Sequence, residues 1–271
     1  AEAGGSFAKI EAANVGRAAL MSLRKLLVDL PEAVVYGSED IVVSGIECDS
    51  RRVGEGDLFV AIRGGEEADR HQFVSDAEAR GARAVVVEDE SVSTRMAARV
   101  IVGDCRMALA RLAATFYDYP GSTLSMVGLT GTNGKTTTAL LVREILQAAG
   151  RCCGYLGTLG AQDPHGQWIE MSNTTPEASD LHRHLHTIGA NGAEALVMEV
   201  SSHALALNRV AGIEFDAAVF TNLTRDHLDF HGTEEAYFES KARLFEQVRD
   251  SDTPVCAINI DDAAGRRLAT R

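Results

Sequence analysis

No run of apolar residues in the 271-residue sequence approaches the roughly 20 needed to cross a bilayer, which argues against membrane insertion. Positive charge is scarce too. Lys and Arg number 26 against 39 Asp and Glu, and a net charge of −13 argues against general affinity for nucleic acid or an anionic membrane surface. An anionic substrate must therefore be met locally, by single Arg or Lys side chains or by helix N-termini. The five cysteines (Cys48, Cys105, Cys152, Cys153 and Cys256) form no CxxC pair and no even disulfide framework, which points to free thiols in a reducing cytoplasm. The first 20 residues lack both the basic and the apolar parts of a secretory signal. Rich in Ala and Gly, residues 1–20 are expected to be a disordered extension. Internal repeats and low-complexity tracts are absent.

What remains is ordinary globular material, 45% hydrophobic and 24% charged, long enough for about two domains. From Met21, SLRKLLVDL reads as a short helix closed by Pro31. IVVSGIECDSRRV and DLFVAIRG read as strands joined by a turn at Gly54 and Gly56. A helix over HQFVSDAEARGA, compact strands at ARAVVVED and RVIVG, and a helix over CRMALARLAATFYDY follow. Residues 21–120 thus form a small mixed α/β N-terminal domain with a boundary at Tyr119-Pro120-Gly121-Ser122. Residues 121–271 alternate strand and helix, with polar residues at the strand C-terminal ends. That pattern predicts a doubly wound, mostly parallel sheet of the P-loop ATPase type, whose ligands bind beyond those ends. In this half RCCGYLGTLG is a strand, the segment around Trp168 a loop, and SNTTPEASDLHRHLHTIGANG a helix with Pro176 and Glu177 in its first turn. EALVMEVS, DAAVFTNL and PVCAINIDD read as strands, and TEEAYFESKARLFEQV as a helix.

The chain turns on GLTGTNGKTTT, residues 128–138. A strand precedes it, and a helix-patterned segment follows and stops at Gly150. Strand, Gly-rich loop, Lys-Thr and helix is the layout of a phosphate-binding loop: backbone amides close around phosphates, Lys135 supplies a point charge, and the next hydroxyl reaches Mg²⁺. Strict Walker A spacing would place a Gly at Leu129. The spacing here is Gly128, Gly131, Gly134, so the loop is a variant.

Other constellations are weaker alone. Glu199 ends an apolar strand, where a carboxylate can hold Mg²⁺, order a water, cap a helix or simply be solvated. TNLTRDHLDFHG packs Asp226, His227, Asp229 and His231 into six positions, a density that suits a metal site or, better, the mouth of a nucleotide pocket. Lys241 shares one helix face with Tyr237, Leu244, Phe245 and Val248. Burying a charged lysine there is costly and its pKa should fall. Snorkelling, a salt bridge, or a functional amine such as a carbamylated lysine would each explain it. His182, His184 and His186 read as a polar helix face. Asp49-Ser50-Arg51 follows a strand and precedes a Gly-rich turn, where Ser50 and Arg51 have the chemistry to contact a phosphate or a uracil.

Taken together, DSRRVGEGDLFVAIRG, GLTGTNGKTTT, NTTPE, MEVSSHAL and FTNLTRDHLDFHGTEEAYFESKARLF, in that order, resemble the Mur ligases, ATP-dependent amino-acid ligases of peptidoglycan precursor synthesis. The likeness is greatest to the MurE type, which adds the third residue to UDP-N-acetylmuramoyl-L-alanyl-D-glutamate. The resemblance implies that Gly131, Thr132, Asn133, Gly134, Lys135, Thr136 and Thr137 wrap the ATP phosphates. It implies two Mg²⁺ ions, with Thr136 near one and Glu199, His227 and a CO₂-derived carbamate on Lys241 at the other. Lys135, His227 and Lys241 become the catalytic set, and Ser50, Asn173, Thr174, Thr175, Ser201 and Arg209 hold the UDP-sugar-dipeptide. The γ-phosphoryl of ATP then passes to the D-glutamyl carboxylate, the amino group of the incoming amino acid attacks, and phosphate leaves. The further implications are a cytoplasmic monomer serving cell-wall biogenesis, cell shape and division. Three departures accompany the match. Asp69-Arg70-His71 has Arg where the family has Gly, after a loop one residue longer. Leu207 stands where some relatives place Gln. The sequence stops at Arg271, so the central domain is expected to be incomplete, the C-terminal domain absent, and the fragment to bind substrates without being competent alone. The alternatives are a MurF-type or folylpolyglutamate-type ligase, or a non-catalytic nucleotide-binding fragment.

Overall fold

The structure, a computed structural model, describes residues 20–63, 69–250 and 254–271. Most of the expected extension (1–19) and the loop before Asp69 lie outside the described residues. The chain opens with β1 (Met21–Ser22) and α1 (Leu23–Leu26), where the Ser22 side chain accepts from the Lys25 amide and caps the helix. A 3₁₀ turn, Leu27–Asp29, carries the expected helix to its stop before Pro31.

Next come β2 (Val34–Gly37), β3 (Val42–Val43), β4 (Ile46–Glu47) and β5 (Leu58–Val60). The single strand expected over 41–53 is broken. Residues 42–43 pair back on β1, and the Asp49 carboxylate accepts the Arg51 amide and folds Ser50–Arg52 into a 3₁₀ turn. Helix α2 (Val74–Ala79), β6 (Ala84–Val87), β7 (Ala98–Ile101) and α3 (Cys105–Phe116) complete this part. The sheet order is β2-β7-β6-β5-β4, parallel except for β2. Alternate residues of β5 and β6 feed two cores. Leu58, Val60, Ala84 and Val86 meet α3, while Phe59, Val85 and Val87 meet α2, which is why AVVV carries no polar residue.

The second sheet contains β8 (Ser125–Thr130), β9 (Cys153–Gly157), β10 (Gly160–Gln162), β11 (Trp168–Ile169), β12 (Ala195–Glu199), β13 (Ala217–Phe220) and β14 (Val255–Ile258). Its helices are α4 (Lys135–Ala148), α5 (Ala178–Ala190), α6 (Ser202–Ala206), α7 (Leu228–His231), α8 (Glu234–Glu246) and α9 (Ala263–Leu268). The order is β11-β10-β9-β12-β8-β13-β14, with β9 through β14 of that row parallel. From β8 the chain runs first to one side, to β9 and β12, and later to the other, to β13 and β14, which makes the C-terminal end of β8 the switch point where such sheets bind ligands. Trp168 does not lie in a loop as expected. It sits in a short antiparallel ribbon, β10 with β11, held by edge-on packing of its indole on Tyr155 at 5.9 Å. Glu177 is the N-cap of α5 and not part of its first turn.

The two sheets share an interface. Ala178 and Ala211 join the core of the first sheet, and the Arg52 guanidinium grips Asp180 of α5 through bonds of 2.7 and 2.6 Å. Burial holds the nearby Glu47 carboxyl up at about 7, even with Arg52 and Arg183 beside it.

The polar helix face expected from His182, His184 and His186 is corrected by the structure. His182 and His184 are buried, and neither His182 nitrogen has a hydrogen-bond partner. Their burial is imposed from two sides: Leu181, Leu185 and Ile188 draw α5 into the core of the second sheet, α3 packs on the same helix, and the histidines are enclosed with it. Burial pushes His182 down to about 4, below the usual 6.5. The unfolded chain therefore binds the extra proton first, and stability is lost as pH falls from about 6.5 toward 4. Replacing His182 with Leu should raise the melting temperature, and the gain should grow between pH 7.5 and 5 in thermal denaturation. A pH-independent difference would show that His182 is not the group responsible.

Candidate active site

The phosphate-loop segment takes the form its residues require. Gly131 (φ +145°) and Gly134 (φ +85°) occupy backbone conformations that side chains rarely adopt, and Gly134 caps α4 so that Lys135 starts the helix. Neighbours fix the loop. The Thr132 amide donates to the Asn222 carbonyl (2.8 Å), the Asn133 amide to the Asn222 side-chain oxygen (3.0 Å), and Thr221 Oγ1 to the Asn133 carbonyl (2.7 Å). Thr136 lies in the first turn of α4 facing Glu199, and Thr137 is exposed on the same turn.

Both expected lysines arrive at this loop. Lys135 Nζ donates to the carbonyls of Gly131 (2.9 Å) and Thr132 (3.0 Å), and Lys241 Nζ donates to the same Gly131 carbonyl at 2.8 Å. Lys241 is 2% exposed and lies 4.4 Å from the Tyr237 ring centroid, so it does not snorkel, and among the described residues no carboxylate pairs with it. Burial, reinforced by the neighbouring Lys135 charge, holds it down at about 7. Burial lowers Lys135 as well.

Glu199, at the end of β12, is wholly buried, which rules out the solvated reading. Its Oε1 accepts from the Tyr155 hydroxyl (2.5 Å) and the Thr158 amide (3.0 Å), and its Oε2 from Thr136 Oγ1 (3.0 Å) and Thr158 Oγ1 (3.1 Å). Burial and the adjacent carboxylate both raise the Tyr155 phenol, so it stays protonated and donates.

The expected substrate residues line the next row. Thr174 Oγ1 meets Thr158 Oγ1 at 3.1 Å, and Thr175 Oγ1 donates to the Glu199 carbonyl (2.9 Å) while accepting the Ser201 amide (3.1 Å). Ser201 caps α6 through the Ala204 amide, and Arg209 reaches the Thr175 carbonyl (3.1 Å) and Glu177 (2.9 Å). Asn173 is exposed just before Thr174. Ser50 stands apart, buried in the 3₁₀ turn that Arg52 ties to α5. Arg70 donates to the Cys48 carbonyl at 2.6 Å, and the Asp69 carboxylate takes the His71 amide and ring, so this turn closes without the family's glycine.

The acidic-histidine segment divides. His231 turns inward between Ser202 (3.0 Å) and Ser240 (3.3 Å), while Asp226, His227 and Asp229 stay exposed. His227 packs edge-on against His203 at 4.8 Å and reaches Lys241 only by way of the Tyr237 ring. Among the described residues no group of three or more His, Cys, Asp or Glu is placed to hold a metal. The loop instead clasps the phosphate loop, the Thr224 amide donating to Thr132 Oγ1 at 3.0 Å.

Sequence reading missed Tyr155, Thr158 and the cleft of about 510 Å³ between Asn133, Thr138, Thr221, Asn222 and Asn259. The polar ends of β13 and β14 were its only signal.

Comparison with known proteins gives consistent matches. The family described as Mur ligase middle domain matches residues 129–271, and the one described as Mur ligase family, catalytic domain, matches 42–117. A UDP-N-acetylmuramoyl-L-alanyl-D-glutamate–2,6-diaminopimelate ligase of Geobacter metallireducens is 46% identical over 238 residues, 86% of this chain and 46% of the relative. The corresponding L-lysine ligase of Staphylococcus haemolyticus is 40% identical over 252 residues, 92% of this chain and 51% of the relative. The chain therefore spans about half the length of the curated relatives it matches. A solved 2,6-diaminopimelate ligase superposes with a TM-score of 0.75 at 29% identity, covering 93% of this chain and 50% of that one. The Thermotoga maritima MurF ligase in complex with ADP gives 0.51 at 25% identity, covering 76% and 44%.

Proposed function

Because the chain belongs to the Mur ligase family, we propose that it supplies the ATP-binding and UDP-substrate-binding parts of a ligase that adds the third amino acid to UDP-N-acetylmuramoyl-L-alanyl-D-glutamate. The observation that carries this reading is the meeting of three segments at Glu199: Thr136 from the phosphate loop, Thr158 with Thr174, and Thr175 with Ser201. A nucleotide on the loop and a substrate along the Thr174–Ser201 row would sit side by side, as phosphoryl transfer between them demands.

In this reading the amides of residues 131–137 and Lys135 receive the phosphates. Lys135 now bonds two loop carbonyls and would swing to the phosphoryl oxygens. Glu199 is a buried carboxylate met only by hydroxyls and one amide, with no ion pair among the described residues. Buried charge of that kind calls for a cation, and its oxygens with the Thr136 hydroxyl are the hard donors Mg²⁺ prefers. Thr136 and Glu199 would hold one ion together, and His227 and Lys241, which no contact among the described residues joins to Glu199, would help hold a second. An unmodified Lys241 leaves that second set short of oxygen, and a carbamate on its largely neutral amine would supply it. When bound, Mg²⁺ neutralises charge on the phosphoryl oxygens. Arg209, anchored by Glu177 and the Thr175 carbonyl, orients the dipeptide so that its D-glutamyl carboxylate can accept the γ-phosphoryl group and then be attacked by the incoming amine. A cytoplasmic setting fits the five free cysteines.

Calorimetric titration tests the binding half directly. The chain should bind Mg·ADP and UDP-N-acetylmuramoyl-L-alanyl-D-glutamate, and Arg209→Ala should weaken the second about tenfold or more, as loss of a charged hydrogen bond does. Failure of the UDP-dipeptide to bind, with Mg·ADP still bound, would point to a different ligase substrate.

A further inference from the structure

The four bonds to Glu199 are not equivalent. Oε1 takes a phenol and a backbone amide, the Tyr155 hydroxyl at 2.5 Å and the Thr158 N–H at 3.0 Å. The amide is fixed by the chain, and the phenol by a ring that is fully buried, central in the sheet and packed on Trp168. Oε2 takes two aliphatic hydroxyls, Thr136 Oγ1 and Thr158 Oγ1, each of which can rotate and offer a lone pair in place of its proton. One oxygen is therefore anchored, and the other faces donors able to reverse their role when a cation arrives.

The packing around the anchored side is tight. Gly157 lies between Glu199 and Tyr155, and a Cβ there would overlap both Glu199 Oε1 and the Tyr155 hydroxyl. The strands dictate this contact. Tyr155 of β9 pairs with Val197 of β12, two residues before Glu199, so the long phenol spans the step that a shorter side chain would not.

We propose that Tyr155 is a positioning residue, holding Oε1 of Glu199 so that Oε2 alone is presented to a divalent cation beside Thr136, with Gly157 keeping the space that hold requires. The inference rests on the nucleotide-site reading above and adds to it a residue outside the phosphate loop. Tyr155 touches neither nucleotide nor substrate. Its effect passes through the carboxylate.

The test is binding, which needs no turnover. ADP is titrated into the 271-residue chain at a series of Mg²⁺ concentrations, for wild type, Tyr155→Phe and Gly157→Ala. Both variants should raise the Mg²⁺ concentration for half-maximal ADP binding about tenfold, the effect typical of losing an outer partner of a metal ligand. ADP binding without Mg²⁺ should stay within about twofold of wild type, which a general loss of structure would not allow. Gly157→Ala retains the phenol and displaces the carboxylate, so it tests the same hold should Tyr155→Phe prove poorly folded. A wild-type Mg²⁺ dependence in folded Tyr155→Phe or Gly157→Ala overturns the positioning role and leaves the nucleotide site intact. A wild-type chain that binds no ADP at any Mg²⁺ concentration overturns the nucleotide reading, and this inference with it.

Discussion

Lys241→Ala, in a protein joining this chain to the part of a relative it does not span, should lose ligase turnover by about 10²–10³-fold or more, the scale on which removing one preorganised electrostatic contact acts. The amine sits where a cation is costly to bury: 2% exposed, bonded to the Gly131 carbonyl, and held down at about 7 by burial. An amine neutral near physiological pH is the form that reacts with CO₂. The native protein should accordingly show a mass increment of one CO₂ on the peptide containing Lys241, and bicarbonate with a short carboxylic acid should partly restore Lys241→Ala. Lys241→Met separates this role from stability. In protein freed of CO₂, between pH 7 and 10.5 the unfolded chain holds a proton that the folded amine has shed, so stability rises with pH across that window. The methionine variant should lose that slope and melt higher at pH 7 while remaining inactive. Full activity in Lys241→Ala would remove the assigned role.

Gly131→Ala should abolish measurable nucleotide binding, weakening it about 100-fold or more. Its φ of +145° penalises any side chain, and an added Cβ would overlap Thr221 Oγ1 and come within 3.1 Å of the Asn222 amide and carbonyl. Strain of this kind costs on the order of 1–3 kcal/mol, and its relief would tear the Thr221–Asn222 clasp from the loop. Gly134 offers the contrast. Its φ is +85°, yet a Cβ there meets nothing within 4 Å, so Gly134→Ala should lose less thermal stability without nucleotide than Gly131→Ala does. Equal melting temperatures for the two variants would show that the clasp does not constrain the loop.

Much of this site was readable because its chemistry follows chain-local rules. Phosphate binding needs Gly, Lys and Thr at fixed spacing, and a parallel sheet places strand-end residues such as Glu199 and Thr221 at its ligand edge. Lys241 was visible as a cation on an apolar stripe, since a helix face is set by spacing alone. The rest depended on which strands are neighbours. Tyr155 reaches Glu199 only because β9 lies beside β12, an adjacency that neither segment encodes by itself. The histidines of α5 misled for the same reason: the adjacent Leu181 and Leu185 draw the helix into the second sheet's core while α3 packs on it as well, and that enclosure overrode their polarity. In the turn at Ser50–Arg52, the strand pattern gave way to one side-chain bond from Asp49.

Phosphate release from ATP by the joined protein decides between the ligase reading and a mere nucleotide-binding chain. Release should require UDP-N-acetylmuramoyl-L-alanyl-D-glutamate and either meso-diaminopimelate or L-lysine together, falling to background when either is withheld. Release that proceeds unchanged without the UDP-dipeptide would contradict the proposed function outright.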